Sequence, residues 1–179
     1  MKLNKKIASL VLVTVLLQPN AFANPYEVAG LQFEAPSGWN ETQPTSGLRK
    51  FQFNIPGTTE EQNAELVIFY FGADQGGDIN TNIDRWAQQF TELTSTYPPA
   101  RTEFSVGDIK VTLVQLEGTY QSGMPGMAMD AKKDYAVLAA IVEGNQGLVF
   151  FKLMGPKVRI SELLPPFRTL LDNLKLQPA

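Results

Sequence analysis

Residues 66–71, LVIFYF, are apolar at every position and too few for a helix of ordinary length. A strand with no wet face has to be covered on both sides, so the chain is committed to a sheet with packed material above it and below it. Gly72 ends the run.

The rest of the pattern says what does the covering. Leu31, Phe33 and Ala35 alternate with Gln32 and Glu34, and Phe51, Phe53 and Ile55 with Gln52 and Asn54, the period of strands with one wet face. Beyond Gly72 the period changes. Ile83, Trp86, Ala87, Phe90 and Leu93 recur at three- and four-residue spacing, which predicts an amphipathic helix capped by Asp78 or Asn80 and ended by Tyr97-Pro98-Pro99. Two hairpins follow. Segments 102–106 and 109–121 flank Gly107-Asp108, and segments 135–143 and 148–154 flank Gly144-Asn145-Gln146-Gly147. Such short turns join only antiparallel neighbours.

Near the C-terminus Ile160, Leu163, Leu164, Phe167, Leu170, Leu171 and Leu174 keep helical spacing across Pro165-Pro166. Proline removes an amide donor, so the expectation is a short turn before Leu164 and a main helix over about 165–175, with the prolines in its first turn. The sum is α+β: a mostly antiparallel sheet of about seven strands with two helices packed on it, in the order βββαββββα.

Residues 1–23 carry Lys2, Lys5 and Lys6, an apolar run over 7–17, the breaker Gln18-Pro19-Asn20 and then Ala21-Phe22-Ala23. This is the layout of a cleavable secretory signal, cut after Ala23. Its apolar run is too short for a hydrocarbon core that needs roughly 17 to 25 residues, so no stable membrane anchor is expected once it is removed. The expected mature chain, 24–179, is a single secreted or periplasmic domain. Losing three lysines takes the net charge from −3 to −6. An acidic chain without a basic run argues against nucleic-acid partners and against docking on anionic membranes.

The chain has no His and no Cys. That excludes the Ser-His-Asp triad, imidazole ligands, a thiolate nucleophile and disulfides. The strings G-x-S-x-G, S-x-x-K and G-x-x-x-x-G-K-[ST] are also missing. The residue set therefore argues against an enzyme, a carboxylate-based hydrolase being the alternative it leaves open.

Three features invite a site. Met124, Met127 and Met129 stand in the stretch QSGMPGMAMD, in the long loop between the hairpins. Thioethers are soft, neutral ligands suited to Cu(I), and Met is equally the flexible filler of apolar gaps; apart from Cu(I) no cofactor is expected. Asp78, Asn80, Asn82 and Asp84 resemble the start of a calcium loop, but Ile83 and Gln89 occupy the places of its required Gly and Glu. Helix capping explains them better. Gly76, Gly77 and Asp78 shape the entry to the first helix, and with Met124 and Met127 they are the residues expected at a partner or ligand surface.

The strings GLQFEAPSGW, AELVIFYFGADQGG running into NIDRW, then GTY, AAIVEG and FFKLMGP, resemble a family of secreted bacterial proteins of uncharacterised function, over nearly the whole mature chain. The element order and the opening pattern of Gly30, Phe33, Pro36 and Trp39 are similar to the PsbP-like fold. That likeness implies an α/β/α sandwich that usually binds proteins and catalyses nothing, and it transfers no functional residue. The function expected is a non-catalytic binding or accessory module recognising an envelope protein or a small ligand.

Overall fold

A computed structural model describes residues 25–95, 98–121 and 131–177. Their order is β1 (Tyr26–Val28), β2 (Leu31–Phe33), β3 (Asn40–Thr42), β4 (Arg49–Ile55), β5 (Ala64–Tyr70), α1 (Ile79–Ala87), β6 (Phe90–Leu93), β7 (Arg101–Val106), β8 (Ile109–Tyr120), β9 (Lys132–Gly144), β10 (Gly147–Pro156), α2 (Lys157–Asp172) and β11 (Lys175–Leu176). The class is the expected α+β, with short edge strands added to the seven read from the sequence.

The main sheet runs β3-β4-β5-β10-β9-β8-β6, with β7 also on β8, and every pairing is antiparallel. A small sheet, β1-β2-β11, lies apart from it. Strand β5 is central, between β4 and β10 as expected, but of residues 66–71 only Leu66, Val67 and Ile68 are buried, while Phe69, Tyr70 and Phe71 stay partly exposed, so the run is fully covered only over its first half. Strand β9 states the layering most clearly. Ala136, Leu138, Ala140 and Val142 join one core with Leu31, Phe33, Ile160, Leu163, Phe167 and Leu170. Val137, Ala139 and Ile141, alternating with them, join a second core with Ile83, Trp86, Ala87 and Phe90. Helix α2 and the small sheet thus cover one face, and α1 covers the other.

Two helix boundaries differ from expectation. Helix α1 ends at Ala87, and Phe90 opens strand β6 opposite Tyr120. Phe90 is buried by the same core in either conformation, so the three-and-four spacing could not separate them. What decides is pairing: the Gln89 carbonyl accepts from the Gln121 amide at 2.7 Å, which draws the chain onto the end of β8. Asp78 is the helix N-cap, its carboxylate accepting from the Thr81 amide at 2.9 Å.

Helix α2 begins at Lys157, directly after β10, and runs through both prolines to Asp172. It does not begin at Pro165. The prolines free the carbonyls of Ser161 and Glu162, and both of those residues are exposed, where water can serve the carbonyls. Ile160, Leu163, Phe167, Leu170 and Leu171 are buried on the opposite side. Burying five such side chains at roughly 1.5–3 kcal/mol each outweighs a penalty of about 3 kcal/mol for each of the two prolines. The second hairpin turn is also tighter than read, since Gly144 pairs with Gly147 and leaves only Asn145 and Gln146 in the loop.

Strand β6 crosses β8 at Gly118, where an added Cβ would run into the Glu92 carbonyl. Gly118→Ala is expected to cost about 3 kcal/mol, measurable as a lowered urea midpoint with an unchanged slope.

Candidate functional site

The register of the main sheet places three rows of side chains on the α1 face. One row reads Arg49, Phe69, Phe150, Ile141 and Thr112 across β4, β5, β10, β9 and β8; the next reads Gln52, Val67, Lys152, Ala139 and Val114; the third reads Asn54, Glu65, Met154, Val137 and Leu116. Helix α1 packs over the β8–β10 part, where Trp86 meets the edge of Phe150 at 6.2 Å. Over β4 and β5 the rows are only half covered. Phe69, Phe71, Gln52, Asn54 and Glu65 are all partly exposed there.

This half-covered band is ordered by a polar and aromatic network. Gln52 Nε2 donates to Glu65 at 2.6 Å, Arg49 donates to Gln52 Oε1 at 3.1 Å, and Arg49 lies 3.7 Å from the Glu65 carboxylate. The Arg49 guanidinium also stands 5.8 Å from the Phe69 ring centre, and Phe69 stacks on Phe71 at 6.2 Å. An ordered mixture of arginine, aromatic and amide groups is the composition of a recognition surface.

The middle row contains a charge where apolar side chains belong. Lys152 is 5% exposed, and its lateral neighbours Val67 and Ala139 are both 0% exposed. Its ammonium donates to Gln89 Oε1 at 2.5 Å and to the Tyr120 hydroxyl at 3.5 Å, and it stands 5.5 Å from the Tyr120 ring centre. Among the described residues no carboxylate lies within ion-pair distance of it, and Glu65 is paired with Arg49. A buried charge held by neutral partners costs free energy. Burial, and secondarily the Arg49 charge, lower the Lys152 pKa to about 8, against a smaller opposing effect of Glu65. Tyr135 stacks on Tyr120 at 5.3 Å, and burial, reinforced by Tyr120 and Glu65, pushes it up to about 12.

Of the residues expected from the sequence, Gly76, Gly77 and Asp78 lie at the start of α1, away from this band. Gly76 and Gly77 line a cavity of about 370 Å³ at the start of α1, with Asp74, Glu143, Gly144, Gly147 and Leu148. Asp74 and Glu143 set an electrostatic sign there that opposes an anion at the helix terminus. Asp78 is engaged with Thr81, Asn82 Nδ2 donates to the Gly76 and Asp78 carbonyls, and Asn80 Oδ1 accepts from Arg101 at 2.9 Å. Met124, Met127 and Met129 lie outside the described residues. Among the described residues no group of three or more Asp, Glu, His or Cys is placed to hold a metal ion. The sequence reading passed over Lys152, whose signal was a single charge inside the apolar string LVFFKLMG.

No sequence-family model matches the chain, and no curated protein matches it in sequence. Solved structures do. Cyanobacterial PsbP (CyanoP) from Synechocystis sp. PCC 6803 superposes with a TM-score of 0.54 at 13% identity, over 85% of this chain and 91% of that one. This chain has the PsbP-like fold. The same fold is seen in LpqN of Mycobacterium tuberculosis, described as involved in cell envelope biogenesis, at TM-score 0.54 and 11% identity over 83% of each chain. A protein of unknown function from Pseudomonas aeruginosa, PA94, matches at TM-score 0.52 and 14% identity, over 87% of this chain and 97% of that one. At these identities the likeness concerns the fold, and the PsbP-like α/β/α layering is what the three share with this chain.

Lys152 sets a pH dependence. The unfolded chain keeps this proton to about 10.5 and the folded chain gives it up near 8. Between those values the unfolded state binds more protons, so the Lys152 contribution to stability rises with pH through that window and is flat below it. Tyr135 opposes this above pH 10, because its folded form holds a proton the unfolded form has lost. Lys152→Met is expected to raise Tm at pH 7 by about 4 to 8 °C and to abolish the rise between pH 8 and 10 in calorimetric scans.

Proposed function

We propose that this chain is a non-catalytic accessory module of the cell envelope, exported through its first 23 residues, and that it recognises a protein or small ligand with the half-covered α1 face of its sheet. The observation that carries this reading is the band over β4 and β5, where Phe69 and Phe71 stay partly exposed beside an ordered Arg49, Gln52 and Glu65 network. Surface clusters of aromatic and arginine side chains held in fixed geometry lose little entropy on binding. The shared fold of CyanoP and of LpqN, the latter described as involved in cell envelope biogenesis, supports the assignment to an accessory role at the envelope. Among the described residues no helix is long and apolar enough to cross a membrane, which fits export without a helical anchor in this part of the chain.

Two measurements test the reading. Protein recovered from the envelope fraction of expressing cells is expected to begin at Asn24 by intact mass, and a product retaining residue 1 would overturn the export assignment. The double variant Arg49→Ala, Phe71→Ser is expected to remain folded by circular dichroism, since both sites are partly exposed. It should lose about tenfold or more of the binding that the unaltered protein shows to partners captured from envelope extract. Capture of the same partners in the same amounts by both proteins would move the recognition surface away from this band.

A further inference from the structure

We propose that α1 and β6 form a unit that opens from the sheet without global unfolding, and that the Lys152 ammonium, hydrated in the open form and dehydrated in the closed one, sets how often it opens.

The geometry isolates this unit. The ammonium is covered from above by Gln89, in the two-residue junction between α1 and β6. Around it stand Tyr120 from β8, Tyr135, Val137 and Ala139 from β9, Phe150 and Met154 from its own strand, Glu65 and Val67 from β5, and Arg49 and Gln52 from β4. The charged members of that set, Arg49 and Glu65, are paired with each other. Only water can give this ammonium a full hydration shell, and water reaches it when the Gln89 junction lifts.

The unit is also lightly fastened. Helix α1 has nine residues, and β6 has four that pair with β8 alone, at its end. Between them they bury Asn82, Ile83, Trp86, Ala87 and Phe90. Outside the β6 ladder, backbone links to β8 and the residue after it are Gln121 to the Gln89 carbonyl at 2.7 Å and Thr94 to the Glu117 carbonyl at 2.8 Å. Helix α2, by contrast, continues directly from β10, is followed by Leu174 at 3% exposure and by β11 paired to β2, and buries five large apolar side chains, where α1 and β6 together bury three, Ile83, Trp86 and Phe90. Elements with few buried anchors open below the global unfolding free energy. An uncompensated charge beneath one of them lowers that cost further.

The absence of cysteine allows a direct test on the purified chain, because one introduced thiol reports only its own site. Val114 is 1% exposed in the α1-side core and Val142 is 0% exposed in the α2-side core. With a neutral thiol reagent at pH 7.5, Val114→Cys is expected to label about a hundredfold faster than Val142→Cys, with little dependence on urea below 1 M. Adding Lys152→Met is expected to slow Val114→Cys labelling about tenfold or more. Equal rates with the same steep urea dependence at both sites would overturn the proposal, as would labelling of Val114→Cys unmoved by Lys152→Met. Should either cysteine variant fail to fold, native-state hydrogen exchange on the unaltered chain decides. The Gln121 and Thr94 amides should exchange with a shallower urea dependence than the β9 and β10 amides, and a shared steep dependence would overturn the proposal.

Discussion

Strand β9 is buried on both faces and paired along both edges, and the other layers are placed by it. Its backbone groups have no water to turn to, so the ladders with β8 and β10 must satisfy them, and they do so along nearly its whole length. Its alternate side chains then separate two cores that share no side of the sheet. The alanines matter here as much as the large residues. Ala139 stands beside the Lys152 stem, and Ala136 pairs with Gly155, whose lack of a side chain allows Ala64 and Ile160 to approach closely. A larger residue at either place would push a covering layer outward.

The two faces are built to different standards. On the α2 side, Tyr26, Phe33, Phe51, Phe53 and Phe151 form a continuous set of edge-to-face and stacked rings between 5.1 and 6.4 Å apart. Arg168 of α2 adds a guanidinium 3.6 Å from the Phe104 ring centre, which ties the helix to the edge strand β7. The α1 side holds a short helix, a buried ammonium and an uncovered margin. The buried charge and the half-covered band both lie on the α1 face.

Much of this was legible from local pattern. The unbroken apolar run at 66–71 announced a central strand between two layers, which its first half has, and Gly107, at φ 58°, supplies the two-residue turn its sequence announces. The reading failed where two conformations bury the same residues. Phe90 faces the α1-side core as a strand residue as well as it would on a helix, and the deciding partner, Gln121, is 32 positions from Gln89. Pro165 and Pro166 misled for the opposite reason: their cost is local and visible, whereas the burial that outweighs it depends on a sheet formed elsewhere. The candidate site was least legible. Lys152 was visible as one charge in an apolar string, but its meaning depends on Gln89, Tyr120, Glu65 and Arg49, which only the sheet register brings near it. The Gly76, Gly77 and Asp78 turn was read correctly as helix entry because capping is a property of adjacent residues.

The pairing of β5 with β10 joins Tyr70 to Val149, 79 positions apart, whereas β8, β9 and β10 follow one another through turns and one connection. Closing so long a loop is slow relative to forming neighbouring hairpins, although its entropic cost grows only gently with length. Until it closes, β10 presents a bare ladder edge bearing Phe150, Phe151 and Leu153, with the Lys152 charge but no proline or bulge in that stretch to blunt it. The N-terminal strands are thus the cover of an adhesive edge as well as half of the sheet, and a chain deprived of them carries its most association-prone strand uncapped.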